Sequence, residues 1–184
     1  MLKKYLENNN IPSILVREPG GTKISEMIRK ILLSKDNKEI SSRAEALLMT
    51  ASRAQLTNEV ILPSLNNSKW VISDRFIDST LAYQGGGRTL NIEKLKFINS
   101  FATNSLNPDL TFFIDIPLNY VKERIKSDSD RIEEEGIMFL EKVKNCYFDI
   151  TKIEERRINL VEGIGKKENI HKKIINILKI KRFL

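Results

Sequence analysis

Short apolar runs alternate with helix-spaced patterns along most of the chain. SILV (13–16), WVIS (70–73), LTFFIDI (110–116) and INLV (158–161) lack polar alternation, which predicts strands buried on both faces. Between them the apolar residues recur at helical spacing. Thr22 stands where an N-cap belongs, ahead of Ile24, Ile28, Ile31 and Leu32 on one face. Ser42-Arg43-Ala44-Glu45 reads as a capping box, opening a helix that runs to about residue 62 and ends near Pro63. Asn91 is placed to cap IEKLKFINSFA, and Pro117 stands at the first turn of LNYVKERIK. A further helix covers roughly 136–153, and a basic amphipathic one closes the chain. Strand–helix–strand repetition predicts an α/β fold: a parallel sheet with right-handed crossovers and helices on both faces. No repeat, linker or second domain breaks residues 1–184. In such sheets ligands bind beyond the carboxyl ends of the strands.

Composition narrows the class of partner. The 184 residues suffice for one good core. An excess of 31 Lys+Arg over 24 Asp+Glu gives +7, which favours anionic partners. Much of that excess lies in the tail KKENIHKKIINILKIKRFL, with no aromatic-interleaved basic stripe, so no nucleic-acid partner is expected. The single Cys146 excludes an internal disulfide framework and reads as a half-buried helix residue. The single His171 reads as a solvated helix position and supports no His/Cys metal cluster. No apolar run reaches the roughly 20 residues that span a membrane, and no signal peptide is visible. A cytoplasmic domain without a membrane partner is expected.

Three segments follow strands directly: REPGG, DRFIDSTLAYQGGGR and DIP. Arg17 and Arg75 each follow a strand end beside a glycine-rich turn, where a rigid guanidinium fork can take two phosphate oxygens. SDSDRIEEEG (127–136), with Arg124 ahead of it and Arg131 inside it, has two readings. It is a solvated charged loop, or a mobile lid that brings Arg131 onto a transferring phosphoryl group. Met49 and Arg53 are four apart and share a helix face. That face is either a core methionine beside a surface arginine, or an apolar shelf and a donor for a flat ring.

Together, VREPGGT, SSRAEALLMTASRAQ, KWVISDRFIDSTLAYQGGGR, LNPDLTFFIDIP and DRIEEEG resemble the thymidylate kinase family, in its order and approximate spacing. The resemblance covers nearly the whole chain and implies phosphorylation of dTMP by ATP with Mg2+, on a P-loop-kinase-type sheet. It implies that Arg75 holds the dTMP phosphate with Arg17 close by. Asp74 would help order the magnesium-bound water shell, and Arg53 would donate to the pyrimidine carbonyl. Thr80 and Gln84 would complete the base and sugar contacts, and Tyr83 would exclude a ribose 2′-hydroxyl. Arg131 and Arg124 would be lid arginines acting in catalysis. Two positions depart from the family pattern. Met49 replaces an aromatic shelf, covering a ring without true stacking, and Phe76 replaces the commoner Tyr or His. Family members are commonly homodimers, and the 42–62 helix is a candidate contact face.

The largest departure is at the front. Family members open with a buried strand, a G-x-x-x-x-G-K-[ST] loop that cradles ATP, and a helix. Here LKKYLENNN reads as the end of that helix. GGGR at 85–88 lacks the lysine and hydroxyl. EGIGKKEN (162–169) has Leu160 where the first glycine belongs and Lys167 where Ser or Thr is required. With a family strand order of 2-3-1-4-5, the central strand is expected to be missing. A truncated product or a start codon called too late is the expected account, and residues 1–184 alone are expected to be inactive. Two alternatives stay open: a non-catalytic nucleotide-binding remnant, and a kinase for another deoxynucleoside monophosphate.

Overall fold

The computed structural model describes residues 1–124 and 129–184, with the side chains of 122–124 left aside. The chain runs α1 (Leu2–Asn8), β1 (Ser13–Arg17), α2 (Lys23–Leu33), α3 (Ser42–Leu56), α4 (Leu62–Asn66), β2 (Trp70–Asp74) and α5 (Ile77–Thr80). It continues with α6 (Ile92–Thr103), β3 (Thr111–Asp115), α7 (Leu118–Arg124), α8 (Ile137–Ile153), β4 (Ile158–Glu162) and α9 (Lys167–Ile180). Wide π-type turns, Thr57–Ile61 and Leu81–Gly87, follow α3 and α5.

All pairing is parallel, and the fold class is the expected α/β. β1 pairs β2 from Ser13 opposite Trp70 to Arg17 opposite Asp74, and β3 pairs β4 from Thr111 opposite Ile158 to Asp115 opposite Glu162. Among the described residues no ladder joins β2 to β3. Arg157 instead links the halves, donating to both oxygens of Asp78 at 2.8 Å and to the Thr111 hydroxyl at 2.9 Å. The strands are not buried on both faces as expected, because Leu15, Ile114 and Leu160 are exposed. Side chains alternate along a strand, so each sheet keeps one thinly covered face.

Local chemistry explains the helix boundaries. The Thr22 hydroxyl accepts from the Ser25 amide at 3.1 Å and caps α2 as expected. The face turned inward, however, carries Ser25 and Leu32, while Ile24 and Ile31 are exposed. Ser25 donates to the Ser52 carbonyl at 2.9 Å, so a small buried hydroxyl seats α2 on α3. The α3 cap is Ser41 rather than Ser42, with its hydroxyl accepting from the Ala44 amide at 3.3 Å. That shift takes Glu45 out of a capping box and turns it inward. Pro63 does not end the helix either. The preceding π turn shifts the carbonyl its ring would strike, and the chain stays helical to Asn66.

The glycine run 85–87 is a packing device rather than a phosphate-facing turn. A Cβ on Gly86 would lie 2.4 Å from the Cβ of Cys146, and one on Gly87 2.4 Å from the Phe139 ring. Only glycine lets this turn lie against α8. Phe139, Val143 and Ile150 of α8 join Leu81, Ala82, Leu95 and Ala46 in the main core. A second cluster, Val16, Leu56 and Ile61, sits under β1.

Candidate active site

A cavity of about 320 Å³ opens between the carboxyl ends of β1 and β2 and the inner face of α3. Its walls include Glu18, Arg29, Met49, Arg53, Arg75, Ser79, Thr80, Tyr83 and Gln84, and Asp130, Ile132 and Glu133 close one side. Six of the expected contact residues therefore meet in one space. Met49 and Arg53 reach it from successive turns of α3, as their spacing requires.

Arg75 leaves β2 in the left-handed region, with φ 70°. That uncommon backbone turns its side chain back across the Tyr83 ring, 4.7 Å from the centroid, where it donates to the Tyr83 hydroxyl at 3.2 Å. Ser79 shares a hydrogen bond of 2.8 Å with the Tyr147 hydroxyl, and burial pushes the Tyr147 pKa up to about 12, so this phenol stays neutral.

The REPGG loop closes on a carboxylate of its own chain. Arg17 donates to both oxygens of Glu26 at 3.0 Å, and the Gly21 amide donates at 2.7 Å. Gly20 and Gly21 have φ of 128° and 91°, which only glycine adopts without strain. The Gly21 amide above all, aided by Arg17, holds the Glu26 carboxyl below its usual range. Arg29, which no motif marked, donates to the Pro19 carbonyl at 2.8 Å. Burial first, then the charge of Arg17, lowers its pKa, and Arg75 acts in the same direction. Cations that repel one another in this way favour an incoming anion.

Arg53 is 2% exposed, and its donors are engaged within the protein. Nε and Nη2 go to Glu18, Nη2 also to the Phe76 carbonyl at 3.0 Å, and Nη1 to Thr80 at 2.7 Å and to Asn99. These five contacts match the five N–H groups of a guanidinium. An oxygen acceptor in the cavity must share or displace one of them. Burial raises the Glu18 pKa against the opposing pull of Arg53, and Glu18 Oε1 has no partner among the described residues. The sequence singled out neither Glu18, which lines the cavity, nor Asn99, which holds Arg53 from behind.

Glu45, one turn before Met49, is fully buried. Gln84 donates to it at 2.9 Å, Arg88 at 2.9 and 3.2 Å, and Arg131 at 2.6 Å. Burial pushes its pKa up, but hydrogen bonds from Arg88, Gln84 and Arg131 outweigh this and hold the carboxyl below its ordinary range. The folded state therefore resists protonation more than the unfolded chain. Its stabilising contribution is present above the unfolded value near 4.5 and is lost as pH falls through the lower folded value. Urea unfolding midpoints are expected to fall on acidification below about pH 4.5, and less steeply in Glu45→Gln. Equal slopes would remove Glu45 from the acid response.

Arg131, expected as a mobile lid arginine, is held inside the protein in this structure. Its guanidinium is tied to Glu45 and to the Leu32 carbonyl at 2.9 Å, its amide donates to the Leu33 carbonyl at 3.2 Å, and the residue is 5% exposed. It anchors the segment whose neighbours Asp130 and Ile132 line the cavity. Arg124 ends α7, and its side chain lies outside the described residues, as do residues 127 and 128 of the expected lid. Asp74 is exposed at the end of β2. Among the described residues no cluster of three His, Cys, Asp or Glu could hold a metal ion, and no helix is long and apolar enough to cross a membrane.

Parallel strand pairs flanked by helices, with an arginine-rich cavity at the strand ends, fit the α/β fold of the P-loop-kinase type, as the likeness to a solved thymidylate kinase bears out. The chain belongs to the thymidylate kinase family, whose sequence model matches residues 1–174. It is 46% identical over 178 residues to a thymidylate kinase of Fervidobacterium nodosum, covering 96% of this chain and 88% of that one. It is 42% identical over 179 residues to a thymidylate kinase of Thermosipho africanus, covering 97% and 88%. The crystal structure of thymidylate kinase from Ehrlichia chaffeensis superposes with a TM-score of 0.76 at 29% identity, covering 96% of this chain and 88% of that one.

Proposed function

We propose that the cavity binds dTMP and that the protein acts in transfer of the ATP γ-phosphoryl group to it. The observation that carries this reading is the convergence of Arg29 and Arg75 with Met49, Tyr83 and Gln84 on one space. Arginine forks suit a phosphate, and the thioether and ring suit a flat base and its sugar. Such a transfer needs little covalent chemistry from protein groups, only positioning and charge neutralisation. Arg75 and Arg29 hold the acceptor phosphate, with Arg17 in support from its pair with Glu26. Met49 covers the base, while Thr80 and Gln84 fix its edge and sugar. Arg53 shapes the floor through Glu18, Thr80 and Asn99.

Mg2+ fits this reading as a companion of the ATP phosphates, because it keeps most of its waters and takes few protein carboxylates. Asp74, exposed at the end of β2, would help order that water shell. Exposed Ile24, Met27 and Ile31 on α2 and Leu47 on α3 support pairing of two copies through these helices. The chemistry belongs in the cytoplasm, where both nucleotides are found.

Calorimetric titration tests the reading. The protein should bind dTMP and prefer it to ribosylthymine 5′-monophosphate. Tyr83→Ala should reduce that preference roughly tenfold by opening space beside the 2′ carbon. Tyr83→Phe removes only the hydroxyl that receives Arg75 and should keep the preference. If dTMP does not bind, the reading fails. If Tyr83→Ala leaves the preference intact, sugar selection lies elsewhere.

A further inference from the structure

We infer that Glu45 is a positioning residue that sets base selectivity, by fixing which edge of the Gln84 amide faces the cavity. The inference rests on the reading of the cavity as the dTMP site and goes one step behind it. Gln84 lies in the π turn after α5, is 1% exposed and lines the cavity. Its Nε2 donates to Glu45 Oε1 at 2.9 Å. An ionised carboxylate only accepts hydrogen bonds, so the amide edge turned toward it must be the NH2. The carbonyl oxygen, left on the other edge, takes no partner among the described residues and is available to a ligand as an acceptor. Flipping the amide would set its carbonyl oxygen against a carboxylate oxygen in a buried space, two acceptors with no hydrogen between them.

Arg88 and Arg131 keep Glu45 in its acceptor-only form. Together they give the carboxylate three charge-assisted contacts of 2.6–3.2 Å, from residues far apart in sequence. Arg88 is itself braced by Glu135 and by the Phe139 ring at 4.8 Å. The same carboxylate that anchors the 130–133 wall thus also sets the polarity of one amide. A fixed carbonyl acceptor suits a ring edge that carries an N–H, as a 4-oxopyrimidine does at N3. A 4-aminopyrimidine places a bare lone pair there and loses the bond. Arg53 cannot draw this distinction in its present state, because its donors are engaged by Glu18, Phe76, Thr80 and Asn99.

The test compares dTMP with 5-methyldeoxycytidine 5′-monophosphate, which keeps the methyl group and exchanges only the polar edge. Both are titrated into the wild-type chain, Glu45→Gln and Gln84→Leu. Wild type is expected to prefer dTMP by roughly tenfold or more. In Glu45→Gln the partner amide can donate or accept, Gln84 can turn, and the preference should fall to within about threefold. Gln84→Leu leaves Glu45 on both arginines and should lose the preference as well. It keeps the inference falsifiable if Glu45→Gln fails to fold. Equal weakening of both nucleotides by Glu45→Gln, with the preference intact, overturns the inference and leaves Glu45 a wall anchor. An undiminished preference in Gln84→Leu overturns it too. Binding of neither nucleotide by wild type overturns the functional reading along with it.

Discussion

Arg75→Ala is expected to weaken dTMP binding by about 2 kcal/mol, roughly thirtyfold. A guanidinium on a phosphate makes charge-assisted bonds worth about 1.5–3 kcal/mol in net terms. The lower part of that range applies because Arg75 is open to solvent at the cavity mouth, where water screens the contact. Loss of Arg75 also relieves the repulsion on Arg29, which keeps part of the phosphate attraction in the variant. Alanine must adopt the left-handed backbone at this position, with φ 70°, and that strain acts on folding rather than on the ligand contact. Arg75→Lys imposes a similar backbone demand and keeps the charge, but lacks the two-toothed fork. It should recover only part of the affinity. Calorimetry at two salt concentrations reads both effects, and an unchanged dissociation constant in Arg75→Ala would remove this residue from the phosphate site.

How much of this was legible in the sequence depended on how local each cause is. The four strands are continuous apolar runs, a nearest-neighbour signal, and each lies within a residue or so of its expected place. Thr22 and Asn91 cap as expected, because a cap acts on an amide three residues away. The α3 cap failed by one residue, since Ser41 and Ser42 are chemically identical and only the packed helix chooses between them. That single step hid Glu45, whose partners Arg88 and Arg131 lie 43 and 86 residues downstream. The shared helix face of Met49 and Arg53 marked a site candidate only together with the family resemblance. The enclosure of Arg53 was not legible, because Glu18, Thr80 and Asn99 lie 35, 27 and 46 residues away. Gly85, Gly86 and Gly87 misled for a related reason. A glycine run looks the same whether it approaches a phosphate or, as here, the side of a helix.

Arg53→Met should lower the unfolding free energy by roughly 3–5 kcal/mol at neutral pH, because it leaves the buried Glu18 carboxylate without its counter-ion. Glu18 and Arg53 have side chains only 4% and 3% exposed, so neither is rescued by water. Loss of the guanidinium also strips Thr80, Asn99 and the Phe76 carbonyl of a donor. For a chain of this size the thermal midpoint should drop by roughly 10 °C. Burial already raises the Glu18 pKa with Arg53 in place, and removing the cation raises it further. A carboxyl raised in the folded state binds its proton more tightly there than in the unfolded chain. The deficit of Arg53→Met is therefore full above the folded value and shrinks as pH falls toward the unfolded value near 4.5. Glu18→Gln on the same background removes the orphaned charge and should recover part of the loss at neutral pH. Urea unfolding of the single and double variants at pH 7 and near pH 5 measures all of this. A loss below about 1 kcal/mol in Arg53→Met would place the pair among ordinary surface bridges. A double variant no more stable than the single would show that the orphaned Glu18 is not where the loss arises.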